Sequence, residues 1–244
     1  MKQGLFTITE NTALTRDMYK LVLAGDTSDI TAPGQFVNIK LNGFFLRRPI
    51  SVCDSEPGKL TLLYKVVGRG TEAMAEMKTG ETLDILTGLG NGYDVTKAGD
   101  RPLLIGGGAG VPPMYLLARK LIAQGKHVTV IMGFNTAAEV YYKDEFEKIG
   151  ATVFVTTADG TQGIKGFVTA AMSEVGDCTY IYTCGPEPML KAVYNASGVS
   201  GEYSFEERMG CGFGACMGCS CKTKYGNKRI CRDGPVLTKE EIIW

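Results

Sequence analysis

The chain has 244 residues, 26 Lys plus Arg against 26 Asp plus Glu, one histidine and eight cysteines. Balanced charge leaves no electrostatic footprint for nucleic acid, and a single imidazole excludes Rieske centres and weakens histidine-rich zinc hydrolases and Ser-His-Asp catalysis. No apolar run approaches the ~18 residues of a spanning helix, and the opening MKQGLFTITEN alternates like a strand instead of leading into a signal core. The expectation is a soluble cytoplasmic protein with no membrane partner, in which clustered cysteines mark a metal or redox site before they mark disulfides.

From 1 to 99 the segments GLFTIT, YKLVLA, QFVNIKL, PISVC, KLTLLYKVV and TLDIL alternate between turn residues, which predicts an antiparallel barrel or sandwich. TEAMAEMK, Thr71 to Lys78, interrupts them as a short helix, with Thr71 expected as its N-cap. From 100 to 206 the rhythm changes. PLLIGGG, HVTVIMGF, TVFVTT, YIYTCG and EYSFEE read as strands, with helices at VPPMYLLARKLIAQG and at about 142–148, 166–175 and 186–197. Such alternation predicts a parallel sheet covered on both faces. The only histidine, His127, opens an apolar strand and is expected to be a solvated or hydrogen-bonded strand-edge residue. Residues 207–244 are rich in glycine and cysteine and show no helical periodicity.

Three motifs carry chemistry. In the first block, Arg47-Arg48-Pro49-Ile50-Ser51 enters a strand, and an arginine fork beside a hydroxyl suits a pyrophosphate. Leu63-Tyr64-Lys65 then runs through Val66-Val67-Gly68-Arg69-Gly70-Thr71 into the short helix, whose start is a second anion site. Each alone could be an ordinary surface pair or turn; together, ahead of a nucleotide domain, they favour a flavin dinucleotide. In the second block GGGAGVPP follows a strand and opens a helix, fitting G-x-G-x-x-P through Gly108, Gly110 and Pro113 and not G-x-G-x-x-G. Tight strand–helix turns need glycine for structural reasons too, so the neighbourhood matters. Cys184-Gly185-Pro186 ends a later strand, and in an open parallel sheet it would face the same crevice as the Gly108 turn. Cys184 is therefore either a neighbour of bound nicotinamide or a small buried hydrophobe.

The third motif is GCGFGACMGCSCKTKYGNKRIC. Cys211, Cys216, Cys219 and Cys231 form C-x4-C-x2-C-x11-C, whose first three members match plant-type 2Fe-2S spacing. Gly210, Gly212, Gly214 and Gly218 are expected to permit positive φ and bring backbone N–H groups to the sulfurs. Cys221 competes with Cys231, and the need for a distant closing cysteine favours Cys231. Structural zinc is the main alternative, but it usually takes two paired knuckles and only Cys216 and Cys219 make one.

R-P-I-S and G-x-G-T on a barrel, followed by G-x-G-x-x-P and C-G-P-x-x-M, resemble the ferredoxin–NADP reductase superfamily. With the terminal MGCGFGACMGCSC and CRDGPVL, the whole chain is similar to the family of electron-transfer subunits of bacterial dihydroorotate dehydrogenase B. The resemblance implies an α+β multidomain protein: an antiparallel flavin-binding β-barrel (1–99), a parallel-sheet α/β NAD-binding domain (100–206) and a small C-terminal 2Fe-2S domain (207–244). It implies FAD held by Arg48, Pro49, Ile50, Ser51, Leu63, Tyr64, Lys65, Gly70 and Thr71, a cluster on Cys211, Cys216, Cys219 and Cys231, and NAD at Gly108, Gly110, Cys184, Gly185 and Pro186. Many reductases of the superfamily carry an aromatic residue where this chain has Pro49-Ile50, which makes Tyr64 the candidate cover for the flavin ring. The implied assembly is a heterotetramer with two FMN-containing catalytic subunits, which hold the acid–base chemistry on dihydroorotate. In it this chain would carry electrons from FMN through the cluster and FAD to NAD+ in pyrimidine (UMP) synthesis. A reductase serving a ferredoxin, an oxygenase or a sulfur-reducing partner, and a zinc-stabilised nucleotide-binding regulator, stay open as alternatives. NAD and NADP are not distinguished: Phe134-Asn135-Thr136 ends the second strand without an acidic residue or an arginine.

Overall fold

A computed structural model describes residues 1–244. The alternating segments of the first block close on one another, because each buries one face and a closed sheet leaves no edge. β1 (Lys2–Ala13), β2 (Met18–Ala24), β3 (Phe36–Lys40), β4 (Arg48–Glu56), β5 (Lys59–Lys65) and β6 (Thr82–Leu89) form a barrel in the order β1-β2-β5-β4-β3-β6. Inward residues such as Phe6, Leu21, Val37, Ile39, Leu60, Leu62, Tyr64 and Ile85 fill it, and Met74 of α1 (Arg69–Glu76) joins them. The helix starts earlier than its sequence suggests. Gly68 is the N-cap and Thr71 sits at the third helical position, its Oγ1 accepting from the Val67 and Gly68 N–H groups at 2.9 and 3.3 Å. A threonine hydroxyl can serve either end of a capping box, and here it reaches backward.

The second block builds β7 (Pro102–Gly107), α2 (Pro112–Ala123), β8 (Thr129–Phe134), α3 (Lys143–Lys148), β9 (Thr152–Thr157), β10 (Ile164–Lys165), α4 (Val168–Met172), β11 (Tyr180–Cys184), α5 (Glu187–Ala196) and β12 (Gly201–Ser204). The sheet order is β10-β9-β8-β7-β11-β12-β15, parallel as far as β12. Strand order reverses between β7 and β11, and Gly106 stands opposite Cys184 there. A crevice opens at the carboxyl ends of strands at such a point. α2 fastens this layer to the barrel: Leu116 enters the barrel core, and Arg119 pairs with Asp54 at 2.6 Å and with the Ser55 carbonyl at 2.9 Å. His127 is exposed just ahead of β8.

The last block adds a hairpin, β13 (Ser220–Thr223) and β14 (Gly226–Arg229), then one helical turn, α6 (Ile230–Asp233). β15 (Val236–Thr238) returns to the large sheet antiparallel to β12. A shared core joins Phe36, Leu86 and Leu89 of the barrel to Cys219, Ile230 and Cys231 of this block and to Ile105 and Ile181 of the sheet. No helix is long and apolar enough to cross a membrane.

Candidate functional site

The barrel's candidate anion site forms where β4 begins and α1 starts. Arg47 does not take part: its NH1 is held by Asp84 Oδ1 at 2.9 Å and by the Asp84 and Asn38 carbonyls at 3.0 and 3.3 Å. The expected arginine fork therefore reduces to Arg48. Arg48 lies 4.9 Å over the Phe44 ring and reaches the first turn of α1, where a Cβ on Gly70 would fall 2.2 Å from its Nε. A guanidinium thus packs against a helix start whose first N–H groups have no helical acceptors, a pairing that fits a pyrophosphate. Pro49 is exposed and Ile50 and Ser51 are half-buried beside it on β4. Thr71 can offer this site only its backbone, since its hydroxyl is used in the cap.

Tyr64 does not cover a ring lying on the outside of this wall. It is 2% exposed, its side chain lies in the barrel core, its OH bonds Asn11 Oδ1 at 3.1 Å, and it stacks on Tyr19. Strand parity is the reason: Leu60, Leu62 and Tyr64 share the inward face, whereas Leu63 packs toward the nucleotide domain. Lys65 closes the strand in an ion pair with Asp17 at 3.1 Å.

The end of β5 touches the 108–110 turn, so the barrel wall and the sheet's crevice meet. Within that turn the glycines differ in purpose. Gly110 packs against β11, where a Cβ would lie 2.2 Å from the Cys184 carbonyl oxygen, and any side chain would part the two loops. Gly108 has φ +50 and open space where a side chain would stand, which leaves room for a ligand to approach. Tyr141 Oη fixes it by donating to its carbonyl at 2.7 Å. The start of α2 is a poorer anion site than a helix N-terminus ordinarily is. Pro112 and Pro113 have no N–H to donate, and the Met114 N–H is bonded to Val111. Gly185 and Pro186 follow β11 at the same crevice, with Met189 packed against Gly107 and Gly185. Cys184 is 2% exposed, and burial, with Glu206 nearby, pushes its thiol up to about 12, so it is a neutral group there.

One residue outside these motifs stands beyond the end of β8. Glu139 ends a short turn after β8 and folds back, accepting from the Asn135 backbone N–H at 3.3 Å and from Asn135 Nδ2 at 2.9 Å. A carboxylate therefore does stand at the end of the second strand of this domain.

The cysteine loop fits a two-iron group. Cys211 and Cys216 are one contacting pair and Cys219 and Cys231 another. Two thiolates per iron is the donor set of a 2Fe-2S cluster, and the four thiols stand as two such pairs. The Ala215 and Cys216 N–H groups point at Cys211 Sγ at 3.2 and 3.4 Å, and the Cys231 N–H points at Cys219 Sγ at 3.4 Å. Burial pushes the Cys211 thiol up, but N–H groups of Phe213, Cys216 and Ala215 outweigh it and bring it below the usual range. Burial and the neighbouring Cys219 and Cys211 sulfurs push Cys231 up. Cys221 stands apart, against Lys222 and the shared core. Positive φ falls at Gly212 and Gly214 as expected, but at Met217 in place of Gly210 and Gly218, which instead flank Cys216 Sγ. Two asparagines hold the last block: Asn38 of β3 bonds the Cys211 carbonyl, and Asn91, just past β6, bonds Val236 of β15 through both ends of its amide, at 2.8 and 3.1 Å.

A closed barrel joined to a parallel nucleotide sheet, with the two facing a shared crevice, is the architecture of ferredoxin-reductase-like flavin and pyridine-nucleotide oxidoreductases. A chain of an NADH-dependent reduced ferredoxin–NADP oxidoreductase superposes with TM-score 0.90 at 30% identity, covering 99% of this chain and 90% of that one. The ferredoxin reductase of carbazole 1,9a-dioxygenase superposes with TM-score 0.70 at 25% identity over 81% and 66%. Residues 104–195 match the oxidoreductase NAD-binding domain, and residues 206–243 match the iron-sulfur cluster binding domain of dihydroorotate dehydrogenase B. A dihydroorotate dehydrogenase B (NAD(+)) electron transfer subunit from Fusobacterium nucleatum is 43% identical, covering 97% of this chain and 96% of its own length. One from Geobacillus is 41% identical over 100% and 99%. The chain belongs to the family of dihydroorotate dehydrogenase B electron transfer subunits.

Proposed function

We infer that this chain relays electrons between a catalytic partner subunit, which oxidises dihydroorotate, and NAD+, in the service of pyrimidine (UMP) synthesis. The observation that carries this reading is the meeting of three sites: paired thiols against the outer wall of β3, the Arg48 strand beside them, and the Gly108 turn at the end of β5. When bound, FAD exchanges a hydride with nicotinamide and single electrons with an iron–sulfur group, and so joins a two-electron substrate to a one-electron path.

The residues of this chain bind and orient. Arg48 and the first turn of α1, at Gly70 and Thr71, neutralise the flavin pyrophosphate. Pro49, Ile50 and Ser51 on β4, and Leu63, Tyr64 and Lys65 on β5, form the wall behind the ring, Tyr64 through its backbone. Gly108, Gly110, Cys184, Gly185 and Pro186 form the nucleotide crevice, with Glu139 at the adenosine ribose, where an acidic group favours NAD over NADP. Cys211, Cys216, Cys219 and Cys231 hold the cluster, with N–H groups of the loop stabilising negative charge on sulfur. Proton transfer on dihydroorotate belongs to the partner in this reading, which agrees with a single histidine here that is exposed ahead of β8. The assembly proposed is two of these chains with two FMN-containing subunits. Coexpression with candidate partner subunits tests it: the complex should copurify with FAD, FMN and iron and catalyse dihydroorotate-dependent NAD+ reduction. A chain that binds none of its candidates and shows no such activity would refute the assignment.

A further inference from the structure

The barrel and the cysteine lobe lie far apart in sequence yet share a wall, and one side chain spans it. Val37 and Ile39 point into the barrel core, which sends Asn38 outward. An outward asparagine on a barrel is ordinarily wet, but Asn38 is 1% exposed. The Cys211–Gly212 backbone lies over it. Asn38 Nδ2 donates to the Cys211 carbonyl at 3.2 Å, and a Cβ on Gly212 would lie 2.3 Å from that nitrogen, so only glycine allows the approach. The amide orientation follows from chemistry: a carbonyl only accepts, and the reversed amide would set two oxygens face to face. Asn38 Oδ1 is buried with no protein partner. Burying an unpaired polar atom is costly, and an apolar residue of the same shape would avoid the cost.

On its other side Asn38 stands directly opposite Pro49 in the ladder between β3 and β4, and opposed residues share a face. One residue thus faces the strand that starts at Arg48 across the ladder and is bonded by its side chain to the first cysteine of the loop. We propose that Asn38 is a positioning residue for electron transfer: it fixes the Cys211 end of the iron–sulfur loop against the flavin strand. By donating to a ligand residue's carbonyl it also raises the reduction potential of the bound cluster. The proposal rests on the cofactor assignment made under Proposed function.

The test uses Asn38→Leu and the nearly isosteric Asn38→Asp in the full complex, after the wild type has been shown to contain flavin and iron. A wild type lacking either defeats the cofactor assignment, a result separate from any outcome in the variants. In the variants, a redox titration should show the cluster harder to reduce by about threefold, roughly 30 mV lower. Its paramagnetic spectrum should shift. NADH-driven reduction of the cluster should slow by about tenfold, as for other residues that support a metal ligand, while reduction of the flavin stays within about twofold. Loss of iron from a variant that keeps its flavin and melting temperature also supports the role. If Asn38→Leu does not accumulate, Asn38→Asp decides. An unchanged cluster potential and spectrum in a folded variant overturns the proposal, even if overall activity falls.

Discussion

Glu139→Gln should change which nicotinamide nucleotide this protein uses. The carboxylate is half-buried, held by the Asn135 N–H and amide, and stands at the end of the second strand of the nucleotide sheet. In that position an acidic group accepts from the ribose 2′-hydroxyl of NAD and faces the 2′-phosphate of NADP. Like charges about 4 Å apart repel by ~1 kcal/mol in water and ~4 kcal/mol near a protein surface. Partial exposure puts the value toward the lower end, about 1.4 kcal/mol, or tenfold in kcat/KM for NADPH. The lost bond to the ribose hydroxyl costs NADH ~1 kcal/mol, roughly fivefold. Glutamine keeps the shape and can keep the bonds to Asn135, so the fold is preserved. Steady-state reduction of an artificial acceptor with each nucleotide should therefore show the NADH preference falling by about fiftyfold. A preference unchanged within about twofold would mean that the ribose lies elsewhere, and the placement of the nucleotide crevice would have to be revised.

Three further outcomes follow from the same geometry. Cys231→Ser should abolish the iron–sulfur absorbance and leave FAD in place, whereas Cys221→Ser should keep both; the reverse pattern in iron content and visible spectra would exchange the two assignments. Tyr141→Phe removes the donor that fixes Gly108, and the loss of ~1 kcal/mol should raise the KM for NADH about fivefold with FAD content unchanged; an unaltered KM would remove Tyr141 from the site. Burial pushes the Asp84 carboxyl up, but Arg47 and Gln3 outweigh it and hold it below the usual carboxylate range. A depressed folded-state value gives stability that is present above the unfolded carboxylate range, ~3.9, and is lost as pH falls through the folded-state value. Asp84→Asn should therefore lower the melting temperature at pH 7 and reduce its fall below about pH 4; an unchanged acid limb would refute that linkage.

Much of this architecture is legible because periodicity is local. Alternation in QFVNIKL and KLTLLYKVV marked strands, and the change to strand–helix rhythm near residue 100 marked the parallel sheet. The same alternation already held the correction for Tyr64, since it shares parity with Leu60 and Leu62, and the two prolines of GGGAGVPP already showed that α2 opens without N–H donors. What could not be read was contact across distance. Asn38 meets Cys211 and Asn91 meets Val236 only after the barrel closes and the last strand returns to the sheet. Arg47 looked like half of a phosphate fork because nothing near it in sequence reveals Asp84. Glu139 escapes notice for a smaller reason: it sits a few residues beyond the strand end and returns to it only by folding back on Asn135. Cysteine spacing was the most readable signal, because its partners, save Cys231, lie within one loop.

The account depends most on a two-iron centre held by Cys211, Cys216, Cys219 and Cys231. Electron paramagnetic resonance of the anaerobically purified complex, reduced with NADH, measures it directly. A low-spin signal integrating to about one spin per chain, with two irons per chain, is the expected result. A zinc-containing protein that gives no such signal on reduction would contradict it.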